Sequence, residues 1–372
     1  MRNKYYIALQ LIGISNECLI DIMKSLSDSE LKELFCGNFM EIEFKYNIHI
    51  TNNIKKFKDE NYLNNILNKS ENVLEKNKKF GIKTVIYTSK NYPEMLREIK
   101  NPPAIIYIKG RNILKGDNKS IACVGTRTPS SYGVNAINSI VTNLSKEKFT
   151  VVSGLAEGVD ALSHKICLNN NGRTIAVLAH GLDIIYPKKH EGLANEILEN
   201  GGTLISEYPV GTTVEKFRFV HRNRIISGLS KGILMIEAKE KSGTRHTINF
   251  AEEQNKKIFC PVFSKFNEMS GLNLELLNKN KAIPIYGNDD YLKIVYELGY
   301  IIKYDTRVKN KIKGSSINKL INQSLNNSSL DMELDKEIYI KFKEILKYND
   351  ITIKEFFNSI INKVVEENKE RD

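Results

Sequence analysis

The sequence predicts an α/β protein: a doubly wound, mostly parallel sheet, preceded by a small helical domain and followed by a short helical element. Three observations lead there. From Ser120 onward six apolar runs, IACVG, TVVSG, TIAVLA, TLISE, GILMIEA and KIFCPV, alternate with helical stretches, and near-continuous apolar runs of this kind mark parallel strands buried on both faces. The first 75 or so residues carry helix caps and no alternating strand pattern. The chain has 372 residues, 41% of them hydrophobic and 27% charged, which suits a globular protein of more than one domain.

The elements follow in order. Leu9, Leu11, Ile12 and Ile14 precede Ser15-Asn16, which caps a helix running through Ile22 and Met23. Ser27-Asp-Ser-Glu30 has the spacing of a capping box and opens a helix with Leu31, Leu34 and Phe35. A further helix is expected from about Tyr62 to Lys79, closing a helical domain over residues 1–80. IKTVIY (82–87) alternates like a strand, TSKNYPEMLREI reads as a turn and short helix, and NPPAIIYIKG (101–110) as a second strand. The sheet domain is placed at 81–300. Residues 301–330 are polar and Asn/Ser-rich and read as a linker. Residues 331–372 carry Leu334, Ile338, Phe342 and Ile345 at helical spacing.

Composition narrows the function classes. The formal net charge is +11 and the sequence pI about 9.1, which makes a polyanion such as nucleic acid a candidate partner. The five cysteines stand far apart with no CxxC pair, as expected of reduced thiols in a cytoplasmic protein. No signal peptide and no membrane span are read from the chain. The six histidines show no HExxH and no cysteine partner at metal spacing, so neither a metal nor another cofactor is expected.

Open parallel sheets bind ligands beyond the carboxyl ends of their strands. The first long strand runs into Gly125-Thr-Arg127-Thr-Pro-Ser-Ser-Tyr-Gly133, which offers a glycine, hydroxyls, an arginine and a helix start, the materials of a phosphate site. The second ends in Ser153-Gly154, with Gly158-Val-Asp160 opening the next helix. Ser153, Asp160 and His164 do not make a hydrolytic triad, because no G-x-S-x-G elbow exists and Asp160 and His164 have ordinary i,i+4 helix spacing. The fifth leads to Ser242-Gly243-Thr244, another helix start at the same edge. KFRFVHRNR (216–224) carries four Lys or Arg, two Phe and no acid. RNRIISGLS is expected as a short helix with Ile225, Ile226 and Leu229 inward, which sets Arg222 and Arg224 in its first turn against the dipole. Either a bound anion balances them, or they pair with Glu207 or Glu237. Rings between cations suit single-stranded nucleic acid, whose bases stack while cations follow its phosphates.

Taken together and in this order, IACVGTRTPSSYG, VVSGLAEGVDALSH, GRTIAVLAHGLDIIYP, GGTLISEYPVGT and HRNRIISGLSKGILMIEAKEKSGT closely resemble the DNA-processing protein A (Smf) family, over residues 82 to about 285. The resemblance implies an extended Rossmann-like domain that binds single-stranded DNA. It implies a non-catalytic homodimer that shields incoming DNA in natural transformation and loads the RecA recombinase, with single-strand-binding protein as a further partner. Carried over by position, the family's DNA pocket falls on Arg127, Ser153, Gly154, Lys216, Phe219, Arg222, Asn223 and Arg224. Arg127 would meet phosphate and Phe219 would stack on a base from a loop ahead of the RNR helix, leaving Phe217 to the core. Glu157 stands where the family often has a basic residue, which would weaken the local field. The alternative reading is a nucleotide phosphoribohydrolase on a related fold, although the Pro-Gly-Gly-x-Gly-Thr run of such enzymes is missing from EKSGTRHT.

Overall fold

In this computed structural model residues 2–48, 50, 53–263, 268–287 and 290–300 are described. The expected linker (301–330) and C-terminal helical element (331–372) lie outside them. Among the described residues six helices come first, α1 (Asn3–Ile12), α2 (Asn16–Ser25), α3 (Asp28–Leu34), α4 (Phe39–Tyr46), α5 (Ile54–Phe57) and α6 (Glu60–Phe80). Their starts are local chemistry. Ser15 accepts from the Cys18 N–H, Ser27 and Glu30 form the reciprocal capping box, and Asp59 accepts from the Tyr62 N–H; each such cap is worth about 1 kcal/mol.

Strands and helices then alternate: β1 (Ile82–Ile86), α7 (Glu94–Arg97), β2 (Ile105–Gly110), β3 (Ser120–Val124), α8 (Ser131–Lys146), β4 (Thr150–Ser153), α9 (Val159–Asn169), β5 (Thr174–Leu178), α10 (Glu191–Glu199), β6 (Thr203–Ser206), α11 (Lys216–Gly228), β7 (Gly232–Met235), α12 (Thr244–Glu253), β8 (Lys257–Pro261), α13 (Gly271–Asn278), β9 (Ile283–Ile285) and α14 (Tyr291–Glu297). Among the described residues nine strands form one sheet in the order β1-β2-β6-β5-β4-β3-β7-β8-β9. From β6 to β9 every neighbouring pair is parallel, while β2 joins β6, and β1 joins β2, antiparallel. This is the expected Rossmann-like α/β fold, and all six apolar runs are strands in it.

Both faces of the sheet are covered, as the unbroken apolar runs require. In β3, Ile121 and Cys123 join a core with α8, α9 and α14, whereas Ala122 and Val124 face the core made with α11, α12 and α13, which is the period-two alternation of a strand. The N-terminal helices share a third core with β2, β5, β6 and α10 through Tyr107, Leu178 and Ile197. Beneath the opposite, N-terminal edge of the parallel strands, Arg173 pairs with Asp117 (2.5 Å) while donating to the Gly201 carbonyl and Thr203. No helix among the described residues is long and apolar enough to cross a membrane.

Two features differ from expectation. β9 was not anticipated: its three residues include Pro284, which cannot donate to a ladder and is at home only on an edge strand such as this one. The helix expected from Arg222 begins six residues earlier, at Lys216. Lys216 and Phe219 are therefore helical rather than loop residues, and Arg222 and Arg224 lie two turns inside, not in the first turn.

Candidate nucleic-acid interface

The strand order turns around between β3 and β7, since β4, β5 and β6 lie to one side of β3 and β7, β8 and β9 to the other. Ligands of open α/β sheets bind at such a switch point. A cleft of ≈ 370 Å³ opens there, lined among others by Gly125, Thr126, Arg127, Phe219, Arg222 and Asn223.

Its first wall is the loop after β3. The Thr126 N–H donates to the Glu237 carbonyl (2.6 Å), and the Thr126 carbonyl accepts from the Val159 N–H (3.1 Å). Gly158 has φ 74° and no room for a Cβ against the Arg127 carbonyl, so only glycine lets α9 start this close. The buried carboxylate of Glu237 accepts from both the N–H (2.8 Å) and the hydroxyl (2.9 Å) of Ser130, the N-cap of α8. The Arg127 backbone is thus held on both sides while its side chain is exposed.

The floor is built from the end of β4. Arg222 reaches down from α11 to donate to the carbonyls of Gly154 (2.7 Å) and Val177. A Cβ on Gly154 would collide with the Arg222 guanidinium, so glycine is needed for this approach. Asp160 accepts from the Gly154 N–H (3.0 Å). Burial pushes its carboxyl upward, against the pull of Arg222 and the N–H groups of Ala156 and Gly154. Burial lowers Arg222 to about 10, which leaves it cationic near neutral pH. Ser153 Oγ is buried and donates to the Cys123 carbonyl (2.6 Å), so it is a structural hydroxyl behind the cleft.

The third wall is the start of α12, with Lys239, Lys241, Ser242, Gly243 and Thr244 along the cleft. No side chain caps this helix, and Ser242 Oγ is buried without a hydrogen-bond partner among the described residues. The positive end of a helix favours an anion. Expectation had noted this loop's chemistry without including it in the site; its adjacency to Arg127 comes only from the pairing of β3 with β7.

Phe219 lines the cleft half-buried, its ring 5.9 Å from that of Tyr186 and 5.9 Å from the Arg222 guanidinium carbon. Phe217, expected in the core, is 53% exposed instead and meets His221 edge-on. Two residues along a helix turn a side chain by about 200°, so a cleft-facing Phe219 sends Phe217 outward. The structure brings Arg127, Phe219, Arg222 and Asn223 together, with Gly154 directly beneath Arg222. Lys216 is exposed in the first turn of α11 and does not line the cleft. Arg224 does not reach it either. It is 4% exposed and its guanidinium forks onto Glu207 at 2.5 and 2.9 Å, the pairing weighed as the alternative for the arginines. Glu157 pairs with Lys189 at 2.8 Å, which offsets its charge locally.

Asp160 and His164 turn to different partners rather than to each other. Thr174 Oγ1 donates to the Val151 carbonyl (2.8 Å), so His164 Nδ1–H donates to Thr174 (2.6 Å), and Nε2 is buried without a partner among the described residues. Burial holds His164 down to about 3 from the ordinary 6.5. The unfolded chain then binds more protons between those values, so stability falls as pH drops through 6.5 toward 3 and is unaffected by this group above it. In urea unfolding at pH 7, 5.5 and 4, His164→Asn, which keeps the donor and loses the titration, is expected to show a shallower decline. The difference approaches about 1.4 kcal/mol per pH unit in that window. Parallel curves would refute the assignment.

The profile of the family described as DNA recombination-mediator protein A matches residues 83–296. The chain is similar to DNA processing protein DprA of Bacillus subtilis (strain 168), 39% identical over 204 residues that span 55% of this chain and 68% of that protein. It is similar in structure to DNA processing protein A of Streptococcus pneumoniae, with a TM-score of 0.61, 26% identity and coverage of 79% of this chain and 98% of that one. A third likeness is to DNA processing protein A of Helicobacter pylori, whose structure concerns its single-stranded DNA binding mode. There the TM-score is 0.53 and the identity 29%, over 59% of this chain and 97% of that one.

Proposed function

Because this chain belongs to the DNA recombination-mediator protein A family, we propose that it binds single-stranded DNA in the cleft between β3 and β7. We propose further that it protects that strand and passes it to a RecA recombinase in natural transformation without catalysing a reaction. The observation that carries this reading is the cleft itself: Arg127, Arg222 and the α12 start surround a space walled by the ring of Phe219. Cations that follow phosphates, beside a ring that takes a base, are the two parts of sequence-tolerant single-strand binding. Lys216, just outside, extends the basic surface. Gly154 acts from behind by seating Arg222, Ser153 by tying the end of β4 to β3, and Arg224 by anchoring α11. Homodimer formation, RecA loading, contact with single-strand-binding protein and a cytoplasmic site of action rest on family membership.

The non-catalytic reading has its own support. The carboxylates of Asp160 and Glu237 are both engaged in holding backbone and capping groups, whereas a glycosidic hydrolase needs one free to act on the sugar. The test is an anisotropy titration of a labelled oligo-dT strand in rising salt, with the same-length duplex as competitor. A single-strand preference and a slope of log K on log salt near −3, as about four phosphate contacts imply, are expected. Equal affinity for duplex would sink the reading, and release of nucleobase from a nucleoside monophosphate would favour the hydrolase.

A further inference from the structure

The beginning of α11 is held by local contacts. Its N-cap, Glu215, makes no side-chain cap bond but pairs with Arg218 at 2.8 Å, and Arg218 donates to the Thr213 carbonyl. Phe219, Val220, Arg222 and Asn223 face the cleft from the turns that follow, with Ile226 further along. Arg222 is held from below by the Gly154 and Val177 carbonyls, and the helix is fixed at a second point beyond it.

The fixing point is Glu207, which follows β6 and is buried. Its carboxylate takes the two guanidinium bonds from Arg224 and a third from Asn16 Nδ2 at 2.8 Å. Asn16 is the first residue of α2, and its Oδ1 accepts from the Ala104 N–H at 3.0 Å. The Glu207 carbonyl accepts from Gln10 Nε2 of α1 at 3.0 Å, and Gln10 Oε1 accepts from the Tyr107 hydroxyl of β2 at 2.8 Å. Arg224 Nε donates to the Asn101 carbonyl at 3.0 Å. One carboxylate thus joins the N-terminal helices to the helix that carries the cleft residues.

We infer that Asn16, with Gln10 beside it, is a positioning residue for strand binding. The N-terminal helices hold α11 at the angle that sets Phe219 and Arg222 in the cleft, and the helical region serves the binding site without touching the strand. Arg224 follows Phe219 by five residues on the same helix, so a shift of the Glu207 carboxylate that holds Arg224 is felt at Phe219. This inference rests on the cleft being the strand site, and the test separates the two.

Asn16→Ala removes one bond to Glu207 and the acceptor of the Ala104 N–H, and substitutes no cleft residue. Ser27→Ala breaks the capping box of α3, which loosens the same helical region with no contact at Glu207. Asn16→Ala is expected to weaken oligo-dT binding by roughly 3- to 30-fold, the range for substitutions that act through packing networks, with the salt slope unchanged. It is also expected to speed amide hydrogen exchange in α11. Ser27→Ala is expected to lower the melting temperature and leave both readouts at wild-type values. Loss of affinity in both variants in step with melting temperature, or no change in α11 exchange with Asn16→Ala, overturns the inference. If the wild-type protein does not bind oligo-dT, the proposed function fails, while the exchange comparison still decides whether Asn16 positions α11.

Discussion

Glu207→Ala is expected to cost about 3–5 kcal/mol of folding stability, because it strands the Arg224 guanidinium in the interior without its anion. Arg224 is 4% exposed and donates twice to Glu207. For a protein of this size the loss corresponds to a melting temperature lower by roughly 10 °C. The double change Glu207→Leu with Arg224→Leu removes both charges and fills the space, and is expected to recover most of that loss, as apolar replacements of buried ion pairs often do. Thermal unfolding of the single and double variants decides it. A double variant no more stable than Glu207→Ala would mean that the damage comes from lost bonds to Asn16 and the backbone rather than from an uncompensated charge.

Phe219→Ala is expected to weaken oligo-dT binding by about 1–3 kcal/mol, the value of one base stacked on a ring. That is about 5- to 150-fold in the dissociation constant. No phosphate contact is lost, so the salt slope is expected to stay as in the wild type. Phe219 also meets Tyr186 and lies by Arg222, and Phe219→Leu keeps much of that packing without the aromatic face. If Phe219→Leu binds as tightly as wild type, the ring is a wall of the cleft and not a base platform. Phe217→Ala is the internal comparison: its exposed ring does not line the cleft, and no change in affinity is expected.

The contrast between Phe217 and Phe219 shows where sequence reading succeeds and where it stops. The sheet was legible because strands buried on both faces have nowhere to put a polar residue, and IACVG or TIAVLA can be little else. The caps at Ser15 and Ser27 were legible because they are local. The first half of α11 was not, since KFRFVHR has no apolar stripe at helical spacing. It folds as helix because its continuation, Ile225 and Ile226, is buried against the sheet. With the helix start misplaced by six residues, the two rings could not be sorted by face. The pairing of Arg224 with Glu207 was one of two readings of the charge run, and choosing between them takes the distance that brings β6 to α11. Lys239 and Lys241 join Arg127 at the cleft for a similar reason: Lys239 comes 112 positions after Arg127 in the chain, and only the adjacency of β3 and β7 unites them.

The central claim is that Arg127 meets a phosphate of a single strand at the sheet's switch point. The measurement that tests it most directly is the salt titration of oligo-dT with wild type beside Arg127→Ala. The expected result is weaker binding at low salt and a slope flattened by about 0.7, the loss of one phosphate contact on a single strand. Wild-type affinity and an unchanged slope for Arg127→Ala would contradict the account.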